Sequence, residues 1–427
     1  MKYQSKRIAF ISEHASPMAD LGGVDTGGQN VYVAQLAKHL IGRGYLVDVF
    51  TRRDNAEIAD VVNWVPGVRV INIKAGPACN VIKEELLQHM DEFKDNMIAF
   101  IAKERLHYSL IHANFFMSAQ VAMGIKKELG IPFVVTFHAL GHVRRIHQAD
   151  QDKFPVERLY IEEQAVKQAD HIIAECPQDR DDLVQYYNAP LNKISIIPCG
   201  FSAKEFHPMD KQAARKILGL PQDEHLILQL GRMVPRKGVD NVIEALSNVK
   251  NTKKPIKLLI VGGEYEKLEE NTCPEYVRLL NIARKQNVVD SVIFTGRKNR
   301  NVLKFYYAAA DVFITTPWYE PFGITPLEAM ACGTPVIGSN VGGIKYSVAD
   351  GETGKLVDPH NPGMLAEAIT EMVNDPGTLD WMSENAIERV NRYFTWAQVA
   401  DEVHSLYKKM TPIAKEGKLV QQKSKAA

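Results

Sequence analysis

Leu226-Ile-Leu-Gln-Leu-Gly-Arg-Met-Val-Pro-Arg-Lys-Gly238 opens with five residues suited to a buried strand. It turns through a glycine and a basic loop, then enters an apolar-periodic stretch, Gly238 to Val249. A strand, a turn and a helix in that order form the unit of a parallel α/β sheet. The segment before it, Pro198-Cys-Gly-Phe-Ser-Ala-Lys-Glu-Phe-His-Pro208, has two prolines, a glycine and no clear period, and reads as a linker. Upstream of that linker the same alternation has already run once. Ile8-Ala-Phe-Ile, Val47-Asp-Val-Phe, Val68-Arg-Val-Ile-Asn-Ile, Leu110-Ile-His-Ala, Phe133-Val-Val-Thr-Phe, His171-Ile-Ile-Ala and Ile194-Ser-Ile-Ile read as strands. Helix-length stretches such as Asn30 to Ile41 and Glu157 to Ala169 lie between most of them. Downstream the alternation restarts, with strands at Leu226, Lys257-Leu-Leu-Ile-Val, Ser291-Val-Ile-Phe, Val312-Phe-Ile-Thr and Pro335-Val-Ile-Gly. Helices are expected among them at Gly238 to Val249, Glu275 to Lys285, Asn301 to Ala309 and Gly323 to Ala331. Three helical patterns follow: Met364 to Val373, Leu379 to Tyr393 and Trp396 to Lys409. The expectation is an α/β chain with two Rossmann-like, doubly wound domains, 1–205 and 206–394, followed by a helix over 395–410 and a tail over 411–427. Such sheets bind ligands at the carboxyl ends of their strands, so the cleft between the two domains is the place to look.

The 427 residues fit two or three domains at about 150 residues each. With 45% hydrophobic and 24% charged residues, the chain is neither disordered, collagenous nor a coiled coil. Basic and acidic residues both number 51. Up to Glu205 the chain holds 23 basic and 25 acidic residues, and beyond it 28 and 26, so neither part carries the excess that recruits nucleic acid. Cys79, Cys176, Cys199, Cys273 and Cys332 are scattered and never form C-x-x-C, which fits a reducing compartment and argues against a disulfide scaffold or zinc ribbon. Met1 to Ile11 lacks the apolar core of a secretory signal, and no run reaches the roughly 18 apolar residues of a spanning helix. A cytoplasmic location is expected. The end of the chain from Lys408 has six lysines against Glu416. It reads as a solvated terminus, with weak attraction to an anionic membrane surface as the functional alternative. The sequence carries no sign of oligomeric state.

Three constellations carry chemistry. Asp25-Thr-Gly-Gly-Gln-Asn30 follows the first strand by a 13-residue loop and opens a helix. Glycines there let backbone N–H groups approach an anion, and the helix dipole favours negative charge. The pattern is not G-x-G-x-x-G, so a dinucleotide fingerprint is absent, and a capped turn is the alternative. In Gly231-Arg-Met-Val-Pro-Arg-Lys237-Gly, Arg232 and Lys237 stand at a strand end facing the cleft. An arginine grips a diphosphate bidentately and a lysine adds a point charge, so the pair can stabilise a departing diphosphate without a metal. The alternative is a solvated basic turn. In Glu320-Pro-Phe-Gly-Ile-Thr-Pro-Leu-Glu328 a helix begins near Gly323, and the amides of Gly323 and Ile324, just after Phe322, suit a phosphate. Glu320 and Glu328 flank that point and can accept hydrogen bonds from sugar hydroxyls, or act only as dipole partners. His138, ending Val134-Val-Thr-Phe-His, is a hydrogen-bonding group over the cleft or a structural histidine. Asp179-Arg-Asp181 formally matches D-x-D but starts a helix, so helix-dipole acidity is preferred over a metal site, and no metal-ligand set is evident. Glu162-Glu163 reads as a solvated helix face.

Glu320-Pro-Phe-Gly-Ile-Thr-Pro-Leu-Glu-Ala resembles the E-x7-E element of the family-4 retaining glycosyltransferases, which have the GT-B fold. Gly231-Arg and Lys237-Gly resemble that family's diphosphate clamp. Asp25-Thr-Gly-Gly-Gln, with Asn30-Val-Tyr-Val after it, resembles the glycine loop of sucrose-phosphate synthases and inositol-phosphate N-acetylglucosaminyltransferases. The likeness runs from about Ile8 to Tyr407. It implies that Arg232 and Lys237 bind the donor diphosphate, Glu320 the donor sugar and Glu328 the ribose. It implies further that His138 contacts the transferred sugar, Gly28 approaches the phosphates, and the backbone at Gly296 and Arg297 holds the base. Gly27 and Gln29 would meet the acceptor. In both relatives the acceptor is a sugar or cyclitol phosphate, and a Lys-Glu pair after the third strand helps bind that phosphate. Lys83-Glu84 matches the pair, and Arg144 and Arg145 are further candidates. The chain departs from the relatives at His112-Ala-Asn-Phe-Phe and His142, both on the acceptor side. The family's last helix returns to the first domain, a part that Trp396 to Lys409 would play.

The resemblance makes the first domain acceptor-binding and the second nucleotide-sugar-binding. The expected activity is retaining transfer of a hexosyl unit from a nucleotide-diphosphate sugar, a UDP-sugar foremost, to a hydroxyl acceptor such as a sugar phosphate. No cofactor is required, and the partners are small molecules. A GT-B sugar-nucleotide epimerase and a catalytically silent sugar-nucleotide-binding protein are the rivals.

Overall fold

The computed structural model describes residues 6–19 and 27–411. Asp25 and Thr26 of the glycine loop, and the lysines beyond Thr411, lie outside them. The chain forms β1 (Lys6–Ile11), β2 (Tyr45–Arg52), β3 (Val61–Val65), β4 (Val68–Ile73), β5 (Ile111–Asn114), β6 (Phe133–Thr136), β7 (His171–Ala174) and β8 (Ile194–Ile196). These make one sheet in the order β3-β4-β2-β1-β5-β6-β7-β8. After the linker come β9 (His225–Leu230), β10 (Ile256–Val261), β11 (Val292–Gly296), β12 (Val312–Thr315), β13 (Val336–Ser339) and β14 (Gly354–Val357). They form a second sheet, β11-β10-β9-β12-β13-β14. Every pairing is parallel except β3 with β4. The apolar runs of the central strands are buried because helices cover both faces, the pattern of parallel sheets.

Strand order reverses between β1 and β5 in the first sheet and between β9 and β12 in the second. Each reversal opens a crevice at the carboxyl edge, because the neighbouring connections leave to opposite faces. Two strands escape sequence reading. In β3, Asn63 and the Pro66-Gly67 turn hide an edge strand, half-buried along most of its length. β14 is four residues long and begins with glycine.

The chain crosses between the sheets twice, and the crossings are tied together. Phe201 N donates to Phe394 O at 2.8 Å and Trp396 N to Phe201 O at 3.2 Å. The helix Trp396–Met410 then lies on the helix Gly28–Ile41 of the first sheet. Thr395 caps its start with Gln398 in a capping box. Near its end, the Tyr407 hydroxyl meets His112 Nδ1 at 2.6 Å, and His112 Nε2 reaches Thr136 Oγ1 at 2.8 Å. His112 is buried, and burial pushes it down to about 3, so it stays neutral.

The seam depends on a glycine. A β-carbon on Gly200 would lie 2.8 Å from Trp396 N and 3.0 Å from Thr395 C. Gly200→Ala is therefore expected to destabilise the chain by about 1–3 kcal/mol, as overpacking against fixed backbone does. Gly124→Ala, whose methyl meets only the flexible Lys94 side chain, should cost little. Denaturant unfolding of the two variants checks this; equal effects would contradict it.

Candidate active site

Both crevices open into one cavity of about 350 Å³ between the sheets. From the first sheet come His14 after β1, His138 after β6 and Glu175 after β7. From the second come Arg232 after β9, Arg297 after β11 and Glu320 after β12. Two helices begin at the cavity, Gly28–Ile41 from one side and Ile324–Ala331 from the other. They approach so closely that a β-carbon on Gly28 would lie 3.8 Å from Ile324 Cδ1. The Gly28 helix start is held by Asn30, whose Oδ1 accepts from Gly27 N at 2.9 Å and whose Nδ2 donates to Ser16 O at 2.9 Å. At the opposite start, Gly323 has φ 90°, a conformation glycine adopts without strain. The N–H groups of these two first turns point toward shared space, and both macrodipoles favour negative charge there.

The side chains reinforce that polarity. Eight lysines and arginines line the cavity against three glutamates, in a chain of zero net charge. Lys237 donates to Glu320 Oε2, and Arg236 Nη1 lies 4.0 Å from the same oxygen. Burial lowers Lys237 from its ordinary value although Glu320 opposes the shift. Burial acts to raise Glu320, but Lys237 and Arg236 together hold it below the usual carboxylate range. Glu328 is buried, with Arg300 Nη2 2.8 Å from Oε1 and the Tyr307 hydroxyl donating to Oε2 at 3.0 Å. Burial raises Glu328, and Arg300 offsets part of that. Arg300 also pairs with Glu205 of the linker at 2.5 Å, and the other oxygen of Glu205 accepts from Gln35 of the first domain at 2.9 Å.

His138 has φ 57°, uncommon for a residue with a side chain, and its ring is held between Asn114 and Glu175. The loop that follows is anchored by Glu162, which corrects the reading of Glu162-Glu163 as a solvated face. Glu162 is fully buried. Its carboxylate accepts from Gly141 N at 2.9 Å, from Arg158 Nε at 2.8 Å and from the Tyr187 hydroxyl. A buried carboxylate needs such donors, and here they fix the start of the helix Gly141–Gln148.

Of the residues singled out in the sequence, Gly27, Gly28, Gln29, Lys83, His138, Arg144, Arg232, Lys237, Arg297, Phe322, Gly323, Ile324 and Glu328 line the cavity together with Glu320. Gln29 Nε2 is tied to Ser12 Oγ and Asn114 O, each at 3.2 Å. Arg144 is paired with Asp152 at 2.9 Å. Arg145 and Gly296 do not line it; the Gly296 backbone packs against Glu266 at the end of β11. Sequence reading missed His14, Glu175, Arg236 and Arg300. Glu175 directly follows the strand His171-Ile-Ile-Ala, so the strand-end rule that found His138 would have found it. Among the described residues no group of three or more His, Cys, Asp or Glu is placed to hold a metal. Asp179 is in the first turn of the helix Pro177–Tyr187 and accepts from Glu175 N at 2.9 Å.

Two doubly wound domains with one cation-rich cleft, and a helix start from each, have the architecture of the GT-B fold. The family model "Glycosyltransferase Family 4" matches residues 26–205, and "Glycosyl transferases group 1" matches residues 210–389. The chain is 33% identical over 413 residues to D-inositol 3-phosphate glycosyltransferase 2 of Catenulispora acidiphila, covering 95% of this chain and 96% of that one. It is 35% identical over 409 residues to the D-inositol 3-phosphate glycosyltransferase of Acidothermus cellulolyticus, covering 94% and 90%. Sucrose-phosphate synthase from Thermosynechococcus elongatus superposes with a TM-score of 0.87 at 35% identity, over 95% of this chain and 99% of that one. Anabaena HepE, solved with UDP and glucose, shares the fold at 19% identity with a TM-score of 0.74, over 95% and 100%. The chain belongs to the family-4, group 1 glycosyltransferases, and it is a retaining glycosyltransferase. No helix among the described residues is long and apolar enough to cross a membrane.

Burial pushes Asp179 up to about 8, with Glu175 adding to the shift. The folded chain then holds a proton that the unfolded chain loses near the ordinary aspartate value of 3.8, so this group's contribution to stability is lost as pH rises toward about 8. Asp179→Asn keeps an acceptor for Glu175 N and removes that loss. Its stability relative to the parent should increase from pH ~4 to ~8; a difference that is flat with pH would contradict the assignment.

Proposed function

We propose that the enzyme moves a hexosyl unit from a UDP-sugar to a hydroxyl of a phosphorylated sugar or cyclitol, with retention at the transferred carbon. The observation that carries this reading is the shared cavity, cationic on both sides. The second domain has Arg232, Arg236 and Lys237 for a diphosphate, and the first has Lys83 for a second anion. The names of the relatives, which act on an inositol phosphate or make sucrose phosphate, support the acceptor class. The UDP in Anabaena HepE supports the base. The five free thiols support a cytoplasmic site of action.

In this reading the second domain, 206–394, holds the donor and the first, 1–205, the acceptor. The diphosphate sits on Arg232, Lys237 and the helix starts at Gly28 and Ile324. Glu320, held by Lys237, accepts from hydroxyls of the donor sugar. Glu328, kept in place by Arg300 and Tyr307, accepts from the ribose, and the backbone at Arg297 meets the base; Gly296, off the cavity, is left out. Gly27, Gln29, Lys83 and Arg144 face the acceptor; Arg145, off the cavity, is left out. As the glycosidic C–O bond breaks, its electron pair leaves with the phosphate, whose growing charge the cations and amides stabilise. The acceptor oxygen bonds to the same face of the carbon, and its proton passes to the departing phosphate oxygen. Closure of the cleft excludes water, a competing acceptor.

Thermal shift with UDP, GDP and ADP, followed by transfer assays, tests the reading. UDP should stabilise most, and sugar or cyclitol phosphates should outperform the free polyols. Arg232→Ala and Lys237→Ala should each lower kcat by about 10²–10³-fold; near-normal turnover in both rejects the clamp. Lys83→Ala should raise the KM for the phosphorylated acceptor about tenfold at similar kcat. An unchanged KM rejects the acceptor-phosphate assignment. A rearranged sugar formed from donor alone would instead favour an epimerase.

A further inference from the structure

We infer that Glu175 is a positioning residue that holds His138 protonated on both ring nitrogens, so that His138 cannot take the acceptor's proton. The inference rests on the transferase reading above and narrows its chemistry. The three residues stand at the carboxyl ends of adjacent strands, Asn114 on β5, His138 just past β6 and Glu175 just past β7. His138 Nδ1 lies 3.0 Å from Glu175 Oε1, and Nε2 lies 3.1 Å from Asn114 Oδ1. The orientation of the Asn114 amide is set by its other end, which donates to Ile11 O at 3.3 Å and His112 O at 3.2 Å. Turning the amide over would face its oxygen to two carbonyls and its N–H groups to the ring. Asn114 therefore offers the ring an acceptor, and so does the Glu175 carboxylate. A neutral imidazole has one donor and one acceptor nitrogen, and only the ring with both protons satisfies two acceptors.

The remaining surroundings agree. Tyr32, from the helix Gly28–Ile41, meets the ring edge-on with centroids 4.8 Å apart and takes neither nitrogen. The Cys199 thiol donates to the same Glu175 oxygen at 3.1 Å, and Asp179 accepts from the Glu175 backbone N–H. Glu175 and Asn114 are both buried, so the ring is gripped from the protein side while His138 borders the cavity. That grip also offsets the uncommon backbone φ of His138. A ring without a free lone pair cannot act as a general base. The acceptor proton is then left to the departing phosphate oxygen, and His138 contributes a fixed cation and a shaped wall beside the transferred sugar.

The test reads the ring directly. In full-length enzyme with ¹⁵N-labelled histidine, the His138 signals are assigned by their loss in His138→Gln. Both nitrogens should be protonated near neutral pH in the parent and in Glu175→Asp, which keeps the charge. Glu175→Gln should give a neutral tautomer. It should also lower kcat by about 10- to 100-fold, as loss of an orienting partner does, while the Kd for UDP changes less than about threefold. A bare ring nitrogen in the parent, or full kcat in Glu175→Gln, would overturn the inference. The resonance readout needs no turnover. Failure of the parent to transfer sugar would reject the transferase reading and leave the ring assignment to stand or fall on its own.

Discussion

Like charges converge across a cleft, and the rest of the site depends on it. Two helix starts and eight basic side chains gather around one space lined by three glutamates, in a chain whose total charge is zero. Such a cavity is costly unless an anion fills it, because desolvated cations repel one another strongly where the effective dielectric is low. The folded chain tolerates this because Glu320 and Glu328 each hold part of the excess, one on Lys237 and the other on Arg300.

The two domains are also linked mechanically. Glu205 stands in the first crossing, with one oxygen on Gln35 of the first domain and the other on Arg300 of the second. Arg300 in turn reaches Glu328 in the cavity. A change in the angle between the domains must pull on this chain of polar contacts. The second crossing is bonded to the first at Phe201, so the two move together. On the far side, the His147 ring stacks on Tyr319 and the Cys176 thiol donates to Pro321 O at 3.3 Å, next to Glu320. Glu320 is thus flanked by contacts from the first domain.

Strand-helix alternation, the linker and the carboxyl-end rule were legible in the sequence because each is a local pattern. Arg232, Lys237, Glu320 and His138 follow strands whose apolar runs are unmistakable, so their place on the cleft could be read directly. The short edge strands β3 and β14 were not legible, since a polar residue or a glycine breaks the run. Glu162 looked like a solvated charge because helical position does not reveal which distant donors will surround it; Arg158 is one turn away on the same helix, but Gly141 N and the Tyr187 hydroxyl meet it only in three dimensions. Arg300 and Glu205 are nearly a hundred residues apart, and nothing local hints at their pairing. Arg145 shares a helix with Arg144 but not its place on the cavity, a difference of one residue that sets a side chain on another face.

The most direct measurement is a crystal structure of the enzyme with a nucleoside diphosphate. The account predicts one diphosphate held from both sides, by Arg232 and Lys237 of the second domain and by main-chain N–H groups at the Gly28 and Ile324 helix starts. A diphosphate bound by one domain alone, or lying away from the Gly28 helix, would contradict it.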